Sequence, residues 1–401
     1  MKAMMIGLGP EYNYPGTFSK WGGKYNTRYA SNFGASLIAR SLMKQFGAVY
    51  VDDFSDIAFL KNNYDTCILA FANHITNWRD VSIYAAVVKQ LDMKTVALSL
   101  GVQDYVDDTN ITIHPSMLSL LKLVSERSDV IGVRGHYSAS ILYKAGIKNV
   151  APIGCPTLFW GLKGCLNIDK KESCRRAVLV YQRTISAVRP DLFNDSVLLG
   201  QDFLDEVIMS NDPNNDPALL NYELGEYARL GVGLNVIERV RKNGIFPVNF
   251  SSWFKYISDS DFVFGPRLHG CIAGLIQGVP SVLLARDLRT SEIAEMFNIP
   301  CFTYSQLSDI SVEQLYAQAD YSKLIETYKR RFDNYRAVIE QNGLRSNLAG
   351  GDTASYTYDA YDIRSAVFSA SNMVKDSGRR RMENGAVRAM LGRLKKKMRG
   401  L

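Results

Sequence analysis

Short apolar runs alternate with amphipathic helical segments along the first 155 residues, and this alternation limits the fold more than any other feature of the sequence. The opening run MKAMMIGLG is typical of a buried strand. Residues 32–46 then place their apolar side chains on one helical face, and the alternation continues to residue 154. Parallel strands read as continuous apolar runs and need crossover helices between them. The sequence therefore predicts a parallel sheet covered by helices on both faces.

The same alternation starts again after residue 176. AVLVYQR, IFPVNF, DFVFGP and SVLLARD are interpreted as strands, and residues 219–243 as one long helix. A chain of 401 residues is also too long for one ordinary core. Residues 161–173 show neither pattern and are the best boundary. We therefore predict two doubly wound α/β domains with a ligand cleft between them.

Four parts follow from this division. They are an N-terminal Rossmann-like domain over residues 1–165, a C-terminal Rossmann-like domain over 174–310, a helical closing segment over 311–366 and a basic tail over 375–401.

Composition excludes several classes of protein. No run reaches the roughly 18 to 20 apolar residues of a membrane span, and the N-terminus does not resemble a signal peptide. The six cysteines form no CxxC pair, so we expect reduced and mostly buried thiols and no metal site. These features predict a cytoplasmic protein.

The positive charge is concentrated in the tail. Residues 375–401 contain ten Lys or Arg against two acids, whereas the whole chain carries only +7. The rest is nearly neutral, which argues against a nucleic-acid partner. Residues 386–401 also form an apolar stripe at helical spacing. This pattern predicts either an amphipathic helix at the anionic inner face of the membrane, or a tail that is solvated or docked on the protein.

Two cationic side chains follow an apolar strand at its carboxyl end. Arg267 and His269 come directly after the strand of residues 262–264, and Gly270 opens a small-residue helix. Helix N-termini at this edge of a parallel sheet favour anions, and a guanidinium fork matches carboxylate or phosphate. Arg183 follows another strand and adds a second fork. The alternative is that one arginine simply pairs with a carboxylate such as Asp287.

Weaker candidates follow the strands of the first half. His74 lies beyond the strand TCILAF and Arg134 beyond VIGV, with His136 two residues later. Each is interpreted either as a substrate contact or as a structural residue, and Glu126 or Asp129 would then hold Arg134.

Five short motifs occur in an order that resembles the polysaccharide pyruvyl transferase family. They are Arg134 with Ser138, Gly154 to Thr157, Arg267 to Gly270, Gly278 to Pro280, and Asp287 to Thr290. The chain departs from the family pattern in two places. Asn32-Phe33-Gly34 is followed by Ala35 where the family often has Asp, and Pro266 stands where Ser or Thr is expected.

The resemblance implies a GT-B-like fold and transfer of a pyruvyl group from phosphoenolpyruvate to a sugar, with no metal or organic cofactor. The product is a pyruvate ketal across two hydroxyls of a polysaccharide or its lipid-linked precursor. By the family pattern the donor is held by the C-terminal domain, through Arg183, Arg267, Leu268, His269 and Gly270. The acceptor lies on the N-terminal domain, with His74, Arg134 and His136 as candidates.

Within this resemblance, His269 is expected to be the general acid or base, and Arg267 the group that neutralises the departing phosphate. The main alternative is a GT-B glycosyltransferase that uses a nucleotide sugar, with Glu292 as the carboxylate contacting ribose. A non-catalytic scaffold in a polysaccharide assembly complex is the third hypothesis.

Overall fold

The computed structural model has parallel sheets of four, two and six strands, and a single bridge joins the first two into one, which confirms the predicted α/β fold class. It describes residues 1–10, 32–103, 112–209, 217–247, 249–285 and 287–346. The first sheet consists of β1 (Ala3–Gly7), β2 (Val49–Tyr50), β3 (Thr66–Ala70), β4 (Lys94–Ala97), β5 (Ile131–Val133) and β6 (Val150–Pro152). The order β2-β1-β3-β4 continues into β5-β6 because Leu100, beyond β4, pairs in parallel with Val133.

The first sheet is flanked by five helices in the described residues. They are α1 (Phe33–Phe46), α2 (Ile57–Asn63), α3 (Ser82–Leu91), α4 (Pro115–Arg127) and α5 (His136–Lys144). The start of α1 is set by Asn32, whose side chain accepts a hydrogen bond from the backbone N–H of Ala35 at 2.9 Å. We call this sheet with its helices the N-terminal domain.

The second sheet has the strand order β12-β11-β10-β7-β8-β9, with all neighbours parallel. Its strands are β7 (Ala177–Val180), β8 (Val197–Leu199), β9 (Gly244–Ile245), β10 (Phe262–Gly265), β11 (Ser281–Ala285) and β12 (Cys301–Thr303). Renumbered from its first strand, this is the doubly wound 3-2-1-4-5-6 order of Rossmann folds. Sheet and helices form the C-terminal domain.

The remaining helices cover this sheet or return to the first domain. They are α6 (Thr184–Val188), α7 (Phe203–Met209), α8 (Pro217–Arg229), α9 (Leu234–Asn243), α10 (Phe250–Ser258), α11 (Leu268–Leu275), α12 (Leu288–Phe297), α13 (Val312–Gln318) and α14 (Ser322–Gln341). The last of them packs against the end of the N-terminal domain, where Tyr335 stacks on Phe159 with ring centroids 4.6 Å apart.

One apolar core is continuous through both domains. It includes Met5 and Ile68 of the first sheet, Phe33 of α1, and Val180 and Phe264 of the second sheet. A second core, around Leu69, Val88 and Leu121, fills the other face of the first sheet. Because the shared core joins the sheets, the positions of side chains on one domain are fixed relative to the other.

Two predicted elements are wrong in extent. The single helix expected over residues 219–243 is interrupted between α8 and α9, where Gly231 adopts a positive φ of 73°. The strand expected over 245–250 pairs only as Gly244–Ile245, because Pro247 has no N–H to continue the ladder. The sequence analysis did not predict α2, α6, α7, β8 and β12. The remaining strands and helices were predicted and are confirmed within a few residues.

The structure bears on three expectations drawn from composition, which concern the cysteines, membrane-spanning helices and the basic tail. All six cysteines are free. Only three of them, Cys67, Cys155 and Cys271, are buried, whereas Cys174 and Cys301 are half-buried and Cys165 is exposed, so the expectation of mostly buried thiols holds for half of them. No helix within the described ranges is long and apolar enough to cross a membrane. The tail over residues 375–401 lies outside the described residues, so its predicted membrane helix stays a prediction.

Candidate functional site

The second sheet reverses its strand order between β7 and β10. From β7 the chain proceeds outward to β8 and β9, and from β10 it proceeds in the other direction to β11 and β12. Doubly wound sheets bind ligands outside the carboxyl ends of the strands at this switch point. Arg183 follows β7 and Arg267 follows β10, so the structure brings both predicted guanidinium groups to this position.

Helix α11 begins directly after β10 and packs closely on β7. Arg267 is its N-cap residue, and Leu268 and His269 open its first turn. Leu268 is buried in the shared core. A Cβ atom at Gly270 would lie 2.3 Å from Cγ1 of Val180, so a larger residue would push the helix away from the strand. Leu268 and Gly270 therefore serve the packing of α11.

Arg267 is held by three groups of the C-terminal domain. Its Nε donates to the carbonyl oxygen of Tyr181 at 3.0 Å, and its Nη2 donates to Asp202 and, at 3.0 Å, to Asp205. Its Nη1 makes no hydrogen bond to any described residue, and 18% of the side chain is exposed. The guanidinium is therefore fixed in position by its Nε and Nη2, and Nη1 contacts none of the three groups that hold it.

The two aspartates belong to the N-terminus of α7 and cap it reciprocally. Asp202 accepts from the N–H groups of Leu204 and Asp205, both at 3.0 Å. Asp205 accepts from the N–H groups of Gln201 and Asp202 at 3.0 and 3.1 Å. Because the acids are needed to cap the helix, the orientation of Arg267 is set by the fold.

Arg183 has an equivalent pair of carboxylates on α8. Its Nη1 lies 2.7 Å from Glu223 and its Nη2 lies 3.0 Å from Glu226. The charge of Asp202 also acts on Arg183, so both arginines and the four acids form one group. We call these six residues the arginine–carboxylate cluster. The alternative that one of these arginines pairs with a carboxylate is confirmed for both of them. Asp287, the example given, is not the partner and caps α12 instead.

Two acids of the cluster have strongly raised pKa values. Burial, with a smaller contribution from the charge of Asp202, raises the pKa of Asp205 to about 7 against the opposing effect of Arg267. Burial likewise raises the pKa of Glu223 to about 7 against the opposing effect of Arg183. Both carboxyls therefore exchange protons near neutral pH.

His269 extends from the C-terminal domain to the N-terminal one. Its Nε2 lies 3.5 Å from Sγ of Cys155, which follows β6. The sulfur accepts hydrogen bonds from Thr157 at 3.0 Å and from Ser99 at 3.6 Å. The imidazole is therefore positioned by residues of both domains.

The start of α1 touches the same region. A Cβ atom at Gly34 would lie 2.7 Å from Cβ of His269, so only glycine allows α1 to approach α11 this closely. The N–H of Phe33 donates to the carbonyl oxygen of Gln201 at 3.0 Å, and the Gln201 amide lies 3.4 Å from Asn32. The carboxyl edges of the two sheets therefore face each other at His269.

The three predicted acceptor residues differ in their surroundings. His74 is buried and stacked on Phe71 with centroids 4.4 Å apart, and burial with the charges of Arg79 and Arg134 lowers its pKa to about 3. Arg134 is only 1% exposed and donates to Asn73, not to Glu126 or Asp129.

His136 lies apart from this pair at the first turn of α5. Burial, with the charge of Arg331 on α14, lowers its pKa. His74 and Arg134 are thus brought together by the fold, whereas His136 faces the returning C-terminal helix.

Glu292 of α12 connects the domains at a second point. Its carboxylate accepts from the N–H and the hydroxyl of Ser138 at 2.7 and 2.9 Å, at the N-terminus of α5. The side chain is buried, and this burial raises its pKa. Glu292 is therefore occupied as an interdomain helix cap.

A cavity of about 540 Å³ lies away from these residues, at the amino edge of the second sheet. Asn167, Asp261, Gln277 and Pro280 are among its lining residues. Asp261 is engaged by Lys171 at 2.6 Å and by two backbone N–H groups. This cavity contains none of the predicted donor, acceptor or catalytic residues, although the Gly278 to Pro280 motif lines it.

Sequence reasoning missed the partners of the arginines. The acids have a detectable signal, because Asp202 with Asp205 and Glu223 with Glu226 are spaced i, i+3 and share helix faces. Cys155 lies inside the Gly154 to Thr157 motif, but the sequence analysis did not consider it as a partner of His269. No group of metal-ligating side chains occurs in the part of the chain that is described.

A family model described as polysaccharide pyruvyl transferase matches residues 32–287, which is more than half of the chain. The chain belongs to the polysaccharide pyruvyl transferase family. The match begins at the residue that caps α1 and ends at the residue that caps α12. It therefore includes Arg183, the segment Arg267 to Gly270 and Cys155. A comparison with curated protein sequences finds no match.

Several solved structures resemble this family member at low sequence identity. The UDP-GlcNAc 2-epimerase of Methanocaldococcus jannaschii is 11% identical over 85% of this chain and 100% of its own, with a TM-score of 0.41. Anabaena HepE with UDP and glucose is 10% identical over 86% and 97%, with a TM-score of 0.40. The wall teichoic acid polymerase TagF is 12% identical over 94% and 89%, with a TM-score of 0.32.

Proposed function

We propose that this enzyme transfers a pyruvyl group from phosphoenolpyruvate to two hydroxyls of one sugar, in a polysaccharide or its lipid-linked precursor. The observation that carries the proposal is that Arg183 and Arg267 follow the two strands at the switch point, and that His269, two residues after Arg267, contacts Cys155 of the N-terminal domain. Phosphoenolpyruvate has one phosphate and one carboxylate, the two groups that guanidinium forks match. A histidine beside them supplies proton transfer near neutral pH.

The proposed reaction has two additions. A proton from His269 is added to the methylene carbon, and a sugar hydroxyl bonds to the neighbouring carbon of the donor. The bond to phosphate then breaks, and a second hydroxyl bonds to the same carbon. The two hydroxyls lose one hydrogen each. One of these hydrogens returns to His269, which gave its proton to the methylene carbon, and the other is carried away by the phosphate. The products are the cyclic ketal and inorganic phosphate. Arg267 would stabilise the departing phosphate.

The carboxylates of the cluster set a condition on donor binding. With all four acids ionised, two arginines face four negative charges, and an anionic donor is repelled. Protons on Asp205 and Glu223 remove two of these charges. We therefore infer that the donor binds to the form of the enzyme in which these two acids are protonated.

Glu292 supports this proposal over the glycosyltransferase alternative. That alternative assigns Glu292 to the ribose of a nucleotide sugar, but its carboxylate already binds Ser138. A nucleotide would have to break both hydrogen bonds and the cap of α5.

The test of the reaction uses the wild-type enzyme with phosphoenolpyruvate and a polysaccharide preparation in deuterated water. We expect phosphate release and a ketal methyl group that carries one solvent deuterium, since His269 exchanges its proton with solvent. UDP-glucose in place of phosphoenolpyruvate should neither stabilise the protein to heat nor release UDP. Release of UDP without any effect of phosphoenolpyruvate would instead establish a glycosyltransferase.

The inferred protonation predicts how the reaction depends on pH. Above pH 7 Asp205 and Glu223 lose their protons and the cluster becomes more negative, so the KM for phosphoenolpyruvate should rise. We expect a rise of about tenfold between roughly pH 6.5 and 8.5. Within the contacts of the cluster, the arginines stay cationic, and burial raises the pKa of Tyr181 and Tyr227 far above this range.

Two variants provide the control for this pH dependence. Asp205→Asn and Glu223→Gln have neutral side chains of the same shape, so each should flatten the rise in KM. A KM that rises equally in both variants and in the wild type would exclude these two acids and place the titration on His269 or on the phosphate of the donor, whose second pKa is about 6.

A further inference from the structure

The loop after β3 is held in place by many hydrogen bonds. Nδ1 of His74 accepts from the N–H of Ala72 at 3.0 Å, and Ile75 pairs in parallel with Val102. The carbonyl oxygen of Thr76 accepts from the N–H of His114 at 2.8 Å. The buried His74 is therefore a structural residue of this loop, and the side chains beyond it have fixed positions.

Trp78 lies at the tip of this fixed loop with 57% of its surface exposed. The turn that presents it is closed by the hydroxyl of Thr76, which accepts from the N–H of Arg79 at 2.8 Å. Tryptophan is highly buried on average, and an indole kept in water by a tethered turn forgoes the gain from burial. A rigid exposed indole is typical of a ligand-binding position.

Arg79 completes the chemistry of this position. Its guanidinium carbon lies 5.0 Å from the centroid of the Trp78 ring, and its charge also reaches His74. Because the guanidinium lies over one face of the indole, the aromatic surface of the pair is the opposite face of Trp78. A pyranose has the matching property, since its ring C–H groups are apolar.

The loop also lies at the carboxyl edge of the first sheet, which is the edge where Cys155 contacts His269. It follows the carboxyl end of β3, and Cys155, which contacts His269, follows the carboxyl end of β6. The strand pair β5-β6 continues the sheet of β3 through the parallel bridge between Leu100 and Val133. Strands of one parallel sheet end at one edge, so Trp78 and the contact of His269 share that edge.

We propose that Trp78 and Arg79 form a binding site for a pyranose ring of the acceptor glycan. The proposal rests on the proposed function for the presence of an acceptor, and it replaces the buried His74 and Arg134 as direct acceptor contacts. The indole covers the C–H face of one sugar, and Arg79 supports the indole from its other face.

The test is saturation-transfer NMR of the purified enzyme with methyl β-galactopyranoside, methyl β-glucopyranoside and methyl α-mannopyranoside. We expect transfer to the ring C–H protons of at least one glycoside in the wild type. Trp78→Ala should weaken this binding about tenfold, which is the effect of roughly 1.4 kcal/mol. Trp78→Phe, which keeps an aromatic face, should retain most of it.

Phe59→Ala is the matched control. Phe59 is an aromatic residue with 56% exposure, but it lies on α2, which precedes β3. It should bind the glycosides as the wild type does. Transfer to none of the three glycosides in the wild type, or equal transfer in Trp78→Ala, would overturn the proposal.

Thermal stabilisation by phosphoenolpyruvate separates this proposal from the proposed function. If phosphoenolpyruvate stabilises Trp78→Ala as much as the wild type while glycoside binding is lost, the result supports both the sugar site and the phosphoenolpyruvate donor. A wild-type enzyme that binds a glycoside through Trp78 but ignores phosphoenolpyruvate would overturn the donor alone.

Discussion

Replacing His269 by alanine is expected to lower kcat about 10²–10⁴-fold, the usual contribution of a general acid or base. The side chain is at the first turn of α11 and contacts Cys155 of the other domain, so its loss removes the group placed to move the proton. Phosphate release measures kcat, and thermal denaturation with phosphoenolpyruvate measures donor binding. Donor binding should remain, because the arginines are unchanged.

His269→Gln distinguishes proton transfer from hydrogen bonding. Glutamine can still hydrogen-bond the Cys155 sulfur but cannot transfer a proton at neutral pH. It should therefore be as slow as the alanine variant. His114→Asn is the control, since His114 caps α4 and asparagine can also cap a helix. If His269→Gln keeps near wild-type turnover, His269 has no role in proton transfer.

Replacing Arg267 by lysine is expected to lower kcat/KM for phosphoenolpyruvate about 10²–10³-fold. Lysine keeps a positive charge for Asp202 and Asp205 but loses the planar fork and the Nη1 nitrogen. Most of the loss should appear with the donor, so the KM for a saturable acceptor should change little. Initial rates of phosphate release over a range of donor concentrations measure kcat/KM for phosphoenolpyruvate. The same rates over a range of acceptor concentrations measure the KM for the acceptor.

Arg127→Lys is a matched control for this substitution. Arg127 pairs with Asp92 at 2.8 Å and its side chain is 16% exposed, close to the exposure of Arg267. It lies at the end of α4, away from the switch point, and its substitution should leave kcat/KM unchanged. An equal and small effect of both substitutions would mean that Arg267 serves only to hold α7.

Much of the fold could be predicted from sequence because its main strands are continuous apolar runs. Ala177–Val180 and Ser281–Ala285 are buried at every position and read plainly as strands. The strand Val197–Leu199 was missed because three apolar residues next to polar ones give too little pattern. The break between α8 and α9 depends on one left-handed glycine, which a window of helical periodicity does not register.

The candidate site could be predicted only in part. Arg267 and His269 stand together in one motif, so local sequence reveals them. Their partners come from distant segments: Asp205 is 62 residues from Arg267 and Cys155 is 114 residues from His269. Burial is also a tertiary property, which is why Trp78 rather than His74 is the exposed residue of its loop.

The Glu292 cap and the shared core together limit how far the two domains can separate. Separating the domains would break the hydrogen bonds to Ser138 and expose apolar side chains that belong to both domains. We therefore expect the two domains to keep their relative position during turnover. A junction of this kind holds His269 beside Cys155 without any domain movement.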